Sequence, residues 1–255
     1  MSSKKILIIL SDANSFPLHN TGTDGKTVQQ PSGFFLMELA KPLQKLLEEG
    51  YEVTFASPEG REPQPDPNSE TLAAFAGNFY ERRRENELVE RMRRENGFSR
   101  PRRFRDISDE ELRGFAGVFV PGGHAPLADL GADPELGRIL AHFHAARKPT
   151  AAICHGPYAF LSTKCGPQKD FAYRGYRLTS WSDAEERVME TMLRGEIDKV
   201  ESSLRESGAE MVEGLGEKAG AITVDREVVT GGNPMAADAL GNKFLQMLKA
   251  QGEGN

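Results

Sequence analysis

Short apolar runs that alternate with helical patterns are the feature that most constrains the fold of this 255-residue chain. Such uninterrupted runs are typical of strands that are buried on both faces of a sheet. The runs are KILIIL (5–10), YEVTFAS (51–57), FAGVFVPGG (115–123), PTAAICHG (149–156), YRLTSW (176–181) and AITVDREVVTGG (221–232), the last reading as two strands around Asp225-Arg226. Because strands alternate with helices, we predict an α/β sandwich around a mostly parallel sheet.

The segments between these runs carry helix signals. Leucines on one face predict a helix over 38–49, with Pro42 either in its first turn or at a kink. The remaining signals are a capping box at Ser108 and Glu111, an N-cap at Asp133 with Pro134 opening a helix to about Arg147, a second capping box at Ser182 and Glu185, and a final helix from Met235 to Lys249.

Two stretches interrupt this alternation. Residues 11–32 read as a long polar loop, and a loop of that length usually serves an active site or a partner. Residues 60–108 are charged and helical, with ERRRENELVERMRRE at their centre. Because glutamates alternate with the arginines, we interpret this segment as a solvated helix with internal ion pairs rather than as a nucleic-acid surface.

Charge and cysteine content exclude several classes of protein. The formal net charge of −6 gives no reason to expect nucleic acid or an anionic membrane as a partner. Two cysteines do not make a disulfide framework, so we expect reduced thiols in a cytoplasmic protein. The first apolar run is too short for a signal sequence, and no stretch approaches the length of a membrane span.

Cys154 is the strongest candidate for a catalytic residue. It follows a predicted buried strand and precedes Gly156-Pro157 and a helix, a pattern that indicates a nucleophile elbow. We expect this turn to expose the thiol, and the following helix N-terminus to favour the thiolate. The alternative is a small buried core cysteine, which is the commoner fate of a free thiol.

The segment VPGGH closes the neighbouring strand. Gly122 and Gly123 would let backbone N–H groups approach a reacting oxygen, and His124 either lines the pocket or caps the turn. The segment lacks the Gly-Lys-Ser/Thr signature, so it is not a phosphate loop.

Together these motifs resemble the ThiJ/PfpI superfamily, within it the glyoxalase III and heat-inducible chaperone branch. The matching segments are SGFFLMELA (32–40), PGGH (121–124), AICHGP (152–157), LTSWSDAEE (178–186) and TGGNP (230–234). They occur in the family's order from the first strand to the last helix. The chain departs from the branch at Met37, where relatives often have a polar residue, and at Ala125, where many have glycine.

The resemblance implies roles for four residues. Cys154 would be the nucleophile, and His155 a general acid/base whose tautomer is held by Glu186. Glu38 would share protons with the thiol. Gly122, Gly123 and His124 would form the oxyanion and substrate-binding turn. Of the two adjacent acids, Glu185 fits the capping box and Glu186 the triad, and the reverse assignment stays open.

The function implied by the resemblance is a glutathione-independent glyoxalase that converts methylglyoxal or glyoxal to lactate or glycolate through a hemithioacetal on Cys154. The implied fold is one flavodoxin-like three-layer domain over residues 1–255, with a helical cap at about 60–108. We expect no cofactor, no metal, a small aldehyde substrate, no nucleic-acid or membrane partner, and a homodimer. The alternatives are a cysteine hydrolase acting on peptides, amides or glycated adducts, and a stress-responsive chaperone or redox sensor.

Overall fold

A twisted, mostly parallel sheet forms the centre of the molecule. The computed structural model describes residues 3–22, 24–212, 214 and 219–253. The seven strands of the main sheet are β1 (Lys5–Ile9), β4 (Glu52–Ser57), β5 (Arg102–Arg103), β6 (Gly117–Val120), β7 (Thr150–Ile153), β10 (Ile222–Asp225) and β11 (Val228–Gly231). Their order is β10-β11-β7-β6-β1-β4-β5, and only β10 runs antiparallel to its neighbour.

Helices cover both faces of this sheet, which confirms the predicted α/β sandwich. They are α1 (Leu36–Glu48), α2 (Phe79–Glu95), α3 (Asp109–Arg113), α4 (Pro126–Asp129), α5 (Pro134–Ala145), α6 (Asp183–Leu193), α7 (Val200–Ser207) and α8 (Ala237–Glu253). Alternate residues of β1 enter different apolar clusters, because successive side chains point to opposite faces. Among the described residues, no helix is long and apolar enough to cross a bilayer.

The polar segment 11–32 is not a loop, and this prediction was wrong. It forms a two-stranded antiparallel ribbon of β2 (Ser15–Thr21) and β3 (Lys26–Pro31). Phe16 and Leu18 alternate with polar residues in β2 and are buried in the core. A period of two in SFPLH was therefore the strand signal hidden within a polar composition.

The predicted strand at 176–181 was also wrong in its placement. Only Arg177–Leu178 is extended (β8), and it pairs in parallel with Glu210–Met211 (β9) in a separate two-stranded sheet. The rest of the segment turns toward α6 because Ser182 caps that helix with Glu185 in the predicted capping box. This turn brings Trp181 back to the central sheet.

The other helix signals are largely confirmed. Asp133 caps α5, and its side chain accepts the N–H of Leu136. Ser108 caps α3, but Glu111 pairs with Arg102 instead of completing a box. Two helices differ from the prediction in their bounds. α1 begins two residues earlier than predicted and therefore holds Pro42 in its interior rather than in its first turn. The final helix, predicted from Met235 to Lys249, begins at Ala237 after a 3₁₀ turn (Pro234–Ala236) and ends at Glu253.

The segment 60–108 contains α2 and three short turns of 3₁₀ helix. The buried side chains of α2 share an apolar cluster with those of α1, so α2 forms an outer layer on that face. Arg83–Glu87 and Arg93–Glu90 are ion pairs within the helix, as its charge pattern predicted. That this segment caps the active site, and that residues 1–255 form one domain, stay predictions.

Candidate active site

Cys154 stands at a sharp turn between β7 and a 3₁₀ helix formed by Gly156–Cys165. Its φ of 60° lies in the left-handed region, which residues other than glycine rarely adopt. Two backbone hydrogen bonds hold the turn: the Cys154 N–H donates to Gly231 (2.8 Å), and its carbonyl accepts the N–H of Trp181 (2.9 Å). The surrounding strands therefore fix a strained nucleophile elbow.

The turn after β6 lies against this elbow and has no room for a side chain at either of its two glycines. A Cβ at Gly122 would lie 2.4 Å from Oε2 of Glu38 and 2.6 Å from Cβ of Cys154. Gly123 has a φ of 96°, and a Cβ there would lie 2.1 Å from the carbonyl oxygen of Gly33. Glycine is required at both positions because the backbone approaches the thiol and the acid so closely.

Glu38 lies in the first turn of α1 and is fully buried beside Cys154. Neither of its carboxyl oxygens has a hydrogen-bond partner of normal geometry among the described residues. Burial raises its pKa from 4.5 to about 8; the adjacent Cys154 thiol and Gly122 N–H oppose this rise, and the charge of Asp66 adds to it. Glu38 is therefore mostly protonated at neutral pH and can donate a proton.

The thiol of Cys154 is not exposed as expected, since the residue is only 4% accessible. Burial and the neighbouring Glu38 raise its pKa well above the usual value, so the expected thiolate is also wrong for the resting site. The backbone N–H groups of Gly123 and His155 act in the opposite direction because they donate toward the sulfur. Of these two donors, Gly123 belongs to the turn that the family resemblance implied for an oxyanion.

His155 links the thiol to a carboxylate. Its Nδ1 lies 3.3 Å from Sγ of Cys154, and its Nε2 lies 2.7 Å from Oε2 of Glu186. Glu185 lies one residue before Glu186 but folds back onto Ser182 in the capping box. Glu186 is therefore the acid that contacts the histidine, and Glu185 serves the helix end.

The protonation states of this pair are consistent with a general base. Burial lowers the pKa of His155, His124 lowers it further, and Glu186 opposes them. Burial alone would raise the pKa of Glu186, but His155 and His124 lower it to about 2. An ionised Glu186 accepts the Nε2–H of a neutral His155, which leaves Nδ1 unprotonated and facing the thiol.

His124 also binds Glu186 and so does not simply line a pocket. Its Nε2 lies 3.1 Å from Oε1 of Glu186, on the oxygen that His155 does not use. Its ring lies 3.9 Å from that of His155 and stacks on Phe16 with centroids 4.7 Å apart. On the other side Trp181 stacks on His155 at 5.6 Å. The two imidazoles are thus held within one aromatic stack.

Among the described residues, His124, His155 and Glu186 form a group that could hold a metal ion, with donor atoms all within 4.8 Å of one another. Two imidazoles and a carboxylate are suitable ligands for zinc. The same atoms make the hydrogen bonds described above, so a bound cation would replace both imidazole–carboxylate contacts. The sequence did not predict this group because its members come from three separate segments.

Three residues near the site had no role in the sequence prediction. Phe16 could have been found from the alternation in β2, and Trp181 from its position in a motif that joins the elbow to α6. Asp66 carried no signal; it accepts a hydrogen bond from Ser32 at 2.7 Å and raises the pKa of Glu38.

The family follows from the sequence itself. Residues 30–176 match the model of the family described as ThiJ/PfpI family-like. The chain belongs to the ThiJ/PfpI-like family. The matched range includes Glu38, the glycine turn, β7 and the elbow, but it ends before α6, which supplies Glu186.

Named relatives within this family are deglycases and glyoxalases. The protein/nucleic acid deglycase HchA of Pseudomonas aeruginosa is 28% identical over 58% of this chain and 53% of its own length. The glutathione-independent glyoxalase hsp3101 of Schizosaccharomyces pombe is 28% identical over 52% of this chain and 57% of its own. Each alignment thus spans only about half the length of the curated relative.

One solved structure is similar over almost the full length of both chains. Glyoxalase III of Candida albicans has a TM-score of 0.74 and 22% identity, covering 97% of this chain and 98% of that chain. At this identity the likeness shows the fold, which is the flavodoxin-like arrangement of the ThiJ/PfpI-like family.

Proposed function

We propose that this ThiJ/PfpI-like protein is a glutathione-independent glyoxalase that acts on methylglyoxal or glyoxal. The observation that carries the proposal is the arrangement around Sγ of Cys154. A neutral His155 held by ionised Glu186 lies on one side of the sulfur, and protonated Glu38 lies beside it. The site therefore combines a nucleophile, a base and an acid, which a proton shift between two carbons requires.

The first step would be addition of the thiol to the aldehyde carbon. His155 takes the Sγ proton on Nδ1, and Glu186 stabilises the imidazolium that forms. The sulfur attacks C1, and the oxygen that becomes negative receives the proton from the imidazolium of His155, which leaves His155 neutral and Glu38 still protonated. The N–H groups of Gly123 and His155 would stabilise that oxygen while it is charged.

The second step would move a proton from C1 to C2. A neutral His155 removes the C1 proton, and protonated Glu38 donates its proton to the C2 oxygen, so that an enediol forms. The imidazolium of His155 returns its proton to C2 while the Glu38 carboxylate takes the proton of the C1 hydroxyl, which gives a thioester and restores both groups. Water then hydrolyses the thioester to lactate or glycolate and free thiol. C1 is oxidised as C2 is reduced, so the reaction needs no external electron acceptor.

Lactate formation from methylglyoxal without glutathione tests the proposal. Wild type should turn over, and Cys154→Ser should lose nearly all activity because the hydroxyl is a far weaker nucleophile. Cys165→Ser is the matched control, since the Cys165 thiol is exposed and outside the described site. Absence of turnover by a folded, reduced wild type would contradict the glyoxalase assignment.

A deglycase is the second candidate, because a related protein carries that name. The same thiol would attack the carbonyl-derived carbon of a glycated side chain. Release of lactate from protein or nucleotide adducts, measured after all free methylglyoxal has been removed, would favour this activity. A rate of lactate release that depends only on the concentration of free methylglyoxal would favour the glyoxalase.

A further inference from the structure

The reactive side chains of this site are almost completely shielded from solvent. Glu38, Cys154, His155 and Glu186 are each at most 4% exposed. A substrate cannot reach Sγ in this arrangement, so part of the structure must move during every cycle. The question is which element moves.

His124 and Trp181 are partly exposed side chains that contact the buried group, and His124 is the one that bonds to Glu186. Its side chain is 13% exposed, against 1% for His155 and Glu186, which it contacts. The residue that lies over its ring is Phe16 of β2, with an interplanar angle of 21°. The path from solvent to the imidazoles therefore passes the edge of Phe16.

The ribbon that carries Phe16 packs on the body through β2, whose two buried side chains are Phe16 and Leu18. Every residue of β3 is exposed or only half-buried, so the body holds the ribbon mainly through β2. Its polar contacts to the body at the outer end are two backbone hydrogen bonds between His19 and Glu196 (2.9 and 2.8 Å), one from the Asn20 amide to the Glu196 carboxylate (2.7 Å), and the approach of His19 to Asp198 (3.9 Å). An element with few buried contacts opens at a lower free energy than the core does.

We propose that the β2–β3 ribbon is the movable cover of the active site and that Phe16 determines which carbonyl compounds reach Cys154. While Phe16 stacks on His124, only a small opening of the ribbon is needed to admit a three-carbon oxoaldehyde. An aryl oxoaldehyde needs the ring of Phe16 displaced. The inference of substrate size rests on the proposed glyoxalase function; the inference of access does not.

Alkylation of Cys154 by iodoacetamide tests access without any enzyme assay. In a Cys165→Ser background Cys154 is the sole thiol. Phe16→Ala should raise the alkylation rate by about tenfold, because loss of a buried ring lowers the free energy of opening. Val28→Ala is the matched control: it removes an apolar side chain that is 42% exposed on the same ribbon. The pH dependence of the alkylation rate distinguishes easier access from a changed pKa of the Cys154 thiol. Easier access raises the limiting rate at high pH, whereas a changed pKa moves the midpoint of the profile.

A reversible lock provides the second arm. His19 and Glu196 form an antiparallel backbone pair, and the Cα separation of about 5.5 Å in such pairs suits a disulfide. In the same Cys165→Ser background, the oxidised His19→Cys/Glu196→Cys variant should slow alkylation of Cys154, followed on the Cys154 peptide by mass spectrometry, by about tenfold. Reduction with dithiothreitol, removed before alkylation, should restore the rate. Equal alkylation rates in the locked, reduced and Phe16→Ala proteins would overturn the proposal.

Substrate preference provides the third arm. Phe16→Ala should raise kcat/KM for phenylglyoxal relative to methylglyoxal by about tenfold, whereas Val28→Ala should leave the ratio unchanged. If Phe16→Ala alkylates faster but its ratio of kcat/KM values is unchanged, the ribbon covers the site but Phe16 does not determine the size of the substrate. If neither aldehyde reacts, the proposed glyoxalase function is wrong. The two alkylation experiments still test whether the β2–β3 ribbon covers Cys154.

Discussion

Nε2 of His155 lies 2.7 Å from Oε2 of Glu186, and both side chains are buried. This contact decides which nitrogen of the imidazole faces the thiol. An ionised carboxylate accepts only from a protonated Nε2, so Nδ1 is left with a lone pair toward Sγ of Cys154. The base is therefore prepared before substrate arrives.

Loss of that carboxylate should damage catalysis far more than loss of its neighbour. Glu186→Gln should lower kcat by about 100- to 10,000-fold, because the amide holds neither the tautomer nor the imidazolium. Glu185→Gln is the matched control. Because glutamine also serves at this position of a capping box, Glu185→Gln should change stability by less than about 1 kcal/mol and leave kcat within about twofold. Steady-state kinetics and urea unfolding separate the two effects, and equal losses of kcat would contradict the triad.

Glu38 should make the protein less stable as the pH rises. Its pKa is about 8 in the folded state and 4.5 as the ordinary value, so the folded protein keeps a proton that the unfolded chain has lost. The unfolding free energy then falls between these two pH values, by at most ~1.4 kcal/mol per pH unit from this group. Glu38→Gln should gain stability relative to wild type as urea unfolding is repeated from pH 5.5 to pH 7.5. Parallel curves for the two proteins would show that Glu38 is ionised.

Glu85 on α2 should also lower the unfolding free energy as the pH rises. It is buried on α2, its oxygens have no hydrogen-bond partner among the described residues, and burial raises its pKa to about 7. Lys41 and Arg84 oppose this rise and Glu81 adds to it. Glu85→Met should stabilise the protein by about 1–3 kcal/mol at pH 8, where the wild type buries a charge, and by less at pH 5.5.

The control for this prediction is Glu87→Met on the same helix. Its side chain is 63% exposed and pairs with Arg83, so its replacement should change the unfolding free energy by less than about 0.5 kcal/mol. If Glu85→Met destabilises the protein at pH 8, then Glu85 has a favourable partner in solution.

Replacement of His124 should move the acidic limb of the pH–rate profile. His124 lowers the pKa of His155, and a neutral His155 is the proposed base. In His124→Phe, which keeps a ring between Phe16 and His155, the pKa of His155 should rise and kcat/KM should fall at a higher pH than in wild type. The midpoint of the acidic limb measures this shift. An unmoved limb, with lower activity at every pH, would assign His124 a purely steric role.

Strand positions and helix caps were predictable because they depend on local patterns. The buried runs of β1, β6 and β7 and the caps at Asp133 and Ser182 have signals within a few residues. The motifs also indicated which residues meet at the elbow. The protonation states were not predictable, because the pKa of Cys154 depends on burial and on Glu38, which comes from a distant segment. The stacking of Phe16 on His124 was also not predictable, because β2 and the turn after β6 are far apart in the sequence.

Burial of Cys154 also bears on its chemical lifetime. Peroxide oxidises thiolates faster than thiols, and it must reach the sulfur to do so. A thiol that is 4% exposed and has a raised pKa meets neither condition at rest. Such a protein would make a slow peroxide sensor but a durable catalyst. The enclosure that would delay a substrate would thus also keep the sulfur of Cys154 reduced.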